Sequence, residues 1–253
     1  MIERWIHNRI HALPLALLVL LVLDFAGSPV FAEDTAGKSS PESQIDFERD
    51  VQPILTRYGC NSGACHGKQR GQNGFQLSLL GFDSDFDHDS LIMESRGRRV
   101  TFARPGDSLL LTKASGKVPH GGGVRLPVDS AGYQLLLEWI KAGAPRALPN
   151  IPDLVNVTVE PVTHEFQHHE KQQLQVIAQY TDGSTRNVTG LATYQSNESP
   201  IADVNAAGEV TAGNLTGKAT IMARYADQFA LFTANIPQMD RQPAEYYDSL
   251  PRN

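Results

Sequence analysis

Two hydrophobic periods divide the chain. Phe47, Val51, Ile54, Leu55 and Tyr58 recur at offsets of 4, 7, 8 and 11, one face of a helix. Gly59 follows, a residue free to take the positive φ that commonly ends a helix. Tyr133, Leu136, Leu137 and Ile140 draw a second stripe, extended by Trp139 and stopped by Gly143 and Pro145. Between the stripes the pattern is broken. Gly67 to Gly74 carries three glycines, Phe75 to Phe82 is apolar, and Asp83, Asp85, Asp87 and Asp89 alternate through a polar stretch. Ser108 to Leu111 starts a short helix behind Asp107 as cap.

After Ala147 to Asp153, a linker with two prolines, the period falls to two. Val155, Val157 and Val159 alternate with polar residues, as do Leu174, Val176 and Ala178, the mark of half-buried strands. Thr181-Asp182-Gly183-Ser184 supplies the Asp-Gly pair of a hairpin turn. Short strands are expected near Ala192 to Ser196, Ala202 to Val204, Gly208 to Thr211, Ala219 to Tyr225 and Phe229 to Ile236. About seven strands at this spacing predict a β-sandwich. No cysteine falls in this region, so packing alone must hold its sheets together.

The first 32 residues change the compartment. Arg4 and Arg9 precede an apolar run from Leu13 to Leu23, and Val30-Phe31-Ala32 offers a small-residue cleavage site. The run is too short to span a bilayer comfortably, so an export signal is expected, and the mature chain works outside the cytoplasm. Glu33 to Pro41 reads as a tether. The 253 residues carry a net charge of −6. Without a basic stripe to neutralise phosphates, nucleic-acid binding is excluded as the expected function.

The two cysteines lie in Gly59-Cys60-Asn61-Ser62-Gly63-Ala64-Cys65-His66-Gly67. Two thiols followed directly by a histidine suit covalent haem attachment, with His66 as an axial iron ligand. The usual spacing is C-x-x-C-H, and two further residues here must bulge out between the thioethers. A Cys60–Cys65 disulfide is equally compatible with the spacing in an exported protein. A second axial ligand would come from a downstream methionine or histidine. Met93 lies in Leu91-Ile92-Met93-Glu94, His88 lies in the aspartate-rich stretch where solvation is expected, and His120 lies in the glycine-rich run Val118-Pro119-His120-Gly121-Gly122-Gly123. Alternating aspartates invite a calcium reading, but the twelve-residue loop's glycine and glutamate are missing. His164, His168 and His169 with Glu165 and Glu170 are read as a polar loop or exposed strand rather than a metal cluster.

Phe47-Glu48-Arg49-Asp50-Val51-Gln52-Pro53-Ile54-Leu55, the cysteine stretch, Ser108-Leu109-Leu110-Leu111 and Trp139-Ile140-Lys141-Ala142-Gly143-Ala144-Pro145 together resemble planctomycete-type cytochrome c modules over residues 44–149. The resemblance implies one haem c held by Cys60 and Cys65 and ligated by His66. Where those modules usually show a Met-Pro-Pro step, this chain has Val118-Pro119-His120, so His120 becomes the preferred sixth ligand and Met93 the alternative. Arg98 and Arg99 are candidates for the haem propionates. Tyr180-Thr181-Asp182-Gly183, Asn187-Val188-Thr189, Tyr194 with Ser196, Val204 to Val210 and Gly217-Lys218-Ala219-Thr220-Ile221 resemble the bacterial Ig-like group 2 domain.

The expected organisation is therefore multidomain: signal peptide 1–32, linker 33–43, a mainly α cytochrome c-like haem domain 44–149, an all-β Ig-like sandwich 150–237 and a tail 238–253. The expected function is one-electron transfer to a redox partner protein by an exported c-type cytochrome, periplasmic or at the cell surface. Its Ig-like domain would act as a spacer or bind surface protein or carbohydrate. No general base or nucleophile constellation points to an enzyme. The alternative is a non-catalytic surface protein with a Cys60–Cys65 disulfide and no haem.

Overall fold

The computed structural model describes residues 45–238, Lys68 excepted. The export signal, the tether and most of the tail lie outside these residues. A π-helical turn, Phe47–Val51, opens the helical lobe with Asp46 as its cap and runs into α1, Gln52–Arg57. Three more helices follow: α2, Ser84–Ile92, α3, Leu109–Ala114, and α4, Ala131–Lys141. Phe47, Val51, Ile54 and Leu55 are all buried, so the first stripe faces the core as its period requires. Tyr133, Leu136, Trp139 and Ile140 supply the buried face of α4. Trp139 is fully enclosed and donates its indole N–H to Pro145 O at 3.0 Å. Full burial of one such side chain contributes about 2 kcal/mol.

The aspartate-rich stretch is a helix rather than a polar loop. Asp83 caps α2 by accepting the Phe86 N–H, and Asp87, in its first turn, is fully buried. Asp87 accepts from Ser78 N, Ser78 Oγ and Gln52 Nε2. Burial raises its pKa above the ordinary carboxylate value, and those donors oppose the shift. His88 is not solvated either. Its Nε2 sits 3.0 Å from Ala144 O, and its ring stands edge-on to Phe47 and Trp139. Asp107 leaves α3 uncapped and pairs with Arg104 and Lys117 instead.

The second lobe holds ten strands. β1, Leu154–Glu160, pairs with β4, Gln175–Tyr180, which pairs with β5, Thr185–Asn187. A second sheet runs in the order β2, Thr163–Glu165, β10, Gln228–Ile236, β9, Gly217–Tyr225, β6, Thr193–Ser196. The third joins β3, Lys171–Gln173, β8, Glu209–Ala212, and β7, Ala202–Val204. Period-two burial is plain in β9, where Ala219, Ile221, Ala223 and Tyr225 face inward, and in β4 through Val176 and Ala178. β1 departs from it at one end, because an irregularity between Leu154 and Asn156 leaves Val155 exposed. β2 and β3 fall in the histidine-rich stretch. They are held by partners far away in sequence, β2 running parallel to β10.

The lobes share one hydrophobic cluster, in which Phe47, Leu55 and Trp139 continue into Val176, Tyr180, Ala192 and Tyr225. Polar contacts close the junction. Asp50 pairs with Arg186 at 2.6 Å, Arg57 donates to Ala192 O at 2.6 Å, and the Tyr225 hydroxyl donates to Arg49 O at 2.7 Å. The Arg49 guanidinium lies 4.2 Å above the Tyr180 ring. The sandwich is docked on the helical lobe rather than strung behind it.

Candidate haem or cofactor cavity

The cysteine stretch begins where α1 ends. Cys60 N–H returns to Leu55 O at 2.8 Å, and the next residues wind into a turn closed by Cys65 N–H to Ser62 O. His66 N–H then donates to Cys60 O at 2.9 Å, so the longer spacing is spooled into a loop that brings the histidine back beside the first cysteine. The turn is tight enough to demand glycine at 67. A Cβ there would lie 1.9 Å from Asn61 O. Asn61 is buried and donates to Thr56 Oγ1, tying the loop to the helix that carries it.

Beyond the loop lies a cavity of about 460 Å³, within the range that holds organic cofactors. Cys60, Cys65, His66 and Phe75 line it on one side and Pro119, His120 and Gly121 on another, with Leu55, Leu91, Leu109 and Leu110 among its apolar residues. The charged residues lining it are Arg98, Arg99, Lys113 and Arg125, without a carboxylate among the described residues. In a chain of net charge −6, that concentration of cations beside apolar walls suits an anionic amphiphile.

His66 and His120 face the same space. Their ring centroids are 6.3 Å apart and their planes within 12° of parallel. Each Nδ1 is fixed by a backbone carbonyl, His66 by Phe75 O at 2.9 Å and His120 by Gly123 O at 2.8 Å. A carbonyl only accepts, so Nδ1 carries the proton in both rings and the lone pair of the neutral imidazole sits on Nε2, the tautomer a metal requires. Two imidazoles bound on opposite sides of one metal, at nitrogen–metal distances of about 2 Å, have centroids roughly 6 Å apart. The residues present thus fit a haem in donor chemistry and cavity volume.

The remaining candidates separate. Met93 is 69% exposed at the end of α2 and does not line the cavity, which removes it as an alternative distal ligand in this arrangement. Arg98 is exposed and lines the cavity, as a propionate partner should. Arg99 is buried and already engaged, donating to Ser90 O and to Gly74 O, with Glu94 nearby. Its guanidinium covers the Phe75 ring at 4.5 Å, and that ring packs on His66 at 4.4 Å. Arg99 therefore braces the His66 side of the cavity rather than reaching into it. Lys113 and Arg125 were missed by sequence reasoning, since no local pattern ties either residue to a site.

Cys60 and Cys65 are free thiols in this structure. Burial pushes the Cys60 thiol up to about 11, with Cys65 adding to the shift and Arg125 opposing it. Such a thiol is protonated at neutral pH and sluggish toward oxidants. In the sandwich, His164 pairs with Glu170 at 2.9 Å and His168 Nδ1 sits 2.9 Å from Gly213 O, contacts that knit the loop to its sheet. Among the described residues no helix is long and apolar enough to cross a membrane.

No curated protein matches this chain. Among solved structures, domains 4 and 5 of the S-layer protein SbsC share 18% identity over 35% of this chain and 54% of that one, with a TM-score of 0.30. Domains 5–6 of the same protein share 19% over 34% and 45%, with a TM-score of 0.29. The Yersinia pseudotuberculosis adhesin InvE shares 15% over 34% and 28%, with a TM-score of 0.21. The chain spans about half the length of the SbsC fragments it matches first. Residues 154–230 match the bacterial Ig-like domain, group 2, and that part of the chain is such a domain.

Proposed function

We propose that this chain is an exported c-type cytochrome whose helical lobe carries one haem c and whose Ig-like domain holds that lobe at the cell surface or in the periplasm. The observation that carries the reading is the His66–His120 pair, parallel within 12° at 6.3 Å beside both cysteines. Cys60 and Cys65 would each add S–H across one vinyl group, sulfur to one carbon and hydrogen to the other, with no oxidant needed. His66 and His120 would be the residues to hold the iron, through Nε2. Arg98 would meet a propionate, and the leucine-rich walls would keep water from the ring. Haem so held supplies one-electron chemistry at a potential lower than histidine–methionine ligation gives. The partner would be a redox protein, with a surface protein or carbohydrate as a second contact through the Ig-like domain.

The test is a mass measurement on protein exported by a host with a haem-attachment system. Covalent haem adds roughly six hundred daltons that survive acid-acetone extraction. Folded protein at the bare polypeptide mass overturns the reading.

The Ig-like domain supports a second reading, a non-catalytic surface protein that binds or spaces through residues 154–230 and uses the helical lobe as its base. It needs no haem, and the bare polypeptide mass is the result it expects.

A further inference from the structure

His120 stands at the tip of a run of backbone that nothing in its own sequence would hold still. Three successive glycines follow it, and glycine populates both halves of φ space. The stems of the loop are tied to α3, with Val118 N–H donated to Thr112 O at 3.0 Å and Arg125 N–H to Ala114 O at 2.8 Å. The tip curls on itself through Gly123 N–H to His120 O and the His120 Nδ1 bond to Gly123 O. Two cationic side chains then reach over it. Lys113 Nζ, from α3, donates to Pro119 O at 3.0 Å, and Arg125 Nε donates to Gly122 O at 2.8 Å. The two carbonyls bracket His120, one residue before it and two after.

We infer that Lys113 and Arg125 form a two-point latch that positions His120 across the cavity from His66, and that releasing it opens the His120 side to an external diatomic ligand. The inference rests on the haem reading for its purpose, but the latch is a property of the chain itself. Both side chains also line the cavity, so they act where His120 acts. A charged donor on a neutral carbonyl is stronger than a neutral pair. Both bonds lie at the exposed surface, where losing them leaves the buried core of the lobe intact. An unlatched loop raises the fraction of molecules with His120 displaced, and the apparent affinity of a competing ligand rises by the same factor.

The experiment compares the haem-loaded full chain with a Lys113→Met, Arg125→Met double variant. The expected result is unchanged melting temperature, a growing high-spin fraction and carbon monoxide affinity raised about tenfold or more in the ferrous state. Lys113→Arg, which keeps a donor at the same site, should hold the wild-type spectrum. Low-spin spectra and carbon monoxide affinities within about twofold of wild type in the double variant overturn the latch while leaving the haem reading standing. If the wild-type chain takes up no haem, that reading falls by itself. The latch is then read in the bare chain, where amide exchange over residues 120–123 should quicken about tenfold in the double variant, and an unchanged rate overturns it.

Discussion

The two lobes solve the same packing problem with different means. In the sandwich, backbone ladders do most of the work, and β9 and β10 pair over nine residues each in continuous register. In the helical lobe the helices are short, from six to eleven residues, and side chains must satisfy what no ladder does. All three buried side-chain polar atoms without a partner among the described residues, Arg49 Nε, Asn61 Oδ1 and Ser90 Oγ, belong to it. So do Asn73, Leu80, Ser95, Arg96 and Ala144 at positive φ, against Asn150, His169 and Ala226 from residue 150 onward. Each such residue costs about 1 kcal/mol. Strain and unsatisfied groups gather in the lobe with the histidine-lined cavity, as they do where a fold is shaped around something other than itself. The sandwich is optimised for standing still.

If the contrast is right, the lobes should still fail together, because their core is continuous. Phe47→Ala should cost about 3–5 kcal/mol. The sandwich tyrosines and the helical lobe should then melt in one transition, followed by near-ultraviolet circular dichroism and tryptophan fluorescence. Two separated transitions would break the picture of a shared core. Asp50→Ala is the next largest. It removes the Arg186 pair and the acceptor of Asp46 N–H. With Asp50 buried and Arg186 partly exposed, the loss should be about 2 kcal/mol in a denaturant titration. It should loosen the junction without emptying the cavity.

The remaining effects are read along the pH axis. Cys60 in the unmodified chain has a folded-state value of about 11 against 9.0 when free, so the native state keeps a proton that the unfolded state loses between those values. Stability therefore falls as pH rises from about 9 to about 11, and Cys60→Ala should remove that slope from an alkaline melt series. Glu170 behaves oppositely. The Gln167 N–H and then His164 hold its carboxyl below the ordinary value of 4.5, so its contribution is present above that pH and lost as pH falls. Glu170→Gln should flatten the acid limb and leave the alkaline limb alone.

Much of the sandwich could be read from the sequence, because period two is local. Val176, Ala178, Ile221 and Ala223 announce their burial by alternation alone. The stripe of α1 was legible for the same reason. The aspartate-rich stretch was not, since its helix depends on Asp83 turning back to cap it and on Ser78 and Gln52 burying Asp87. Arg99 was a candidate for the haem propionates, and only the fold shows it enclosed by the Gly74 and Ser90 carbonyls. β2 depends on a parallel partner about seventy residues away. Cys60, Cys65 and His66 were named from their motif and His120 from its glycine-rich loop, with the resemblance making His120 the preferred ligand. Their meeting across a cavity comes from the turn that returns His66 to Cys60 and from the loop that extends from α3.

Arg57 ends the helix that leads into Cys60, and its guanidinium is hooked on carbonyls of the sandwich at Thr189 and Ala192. Any shift of those strands would therefore displace the end of α1, and with it the turn that sets Cys60 beside His66 in the cavity wall.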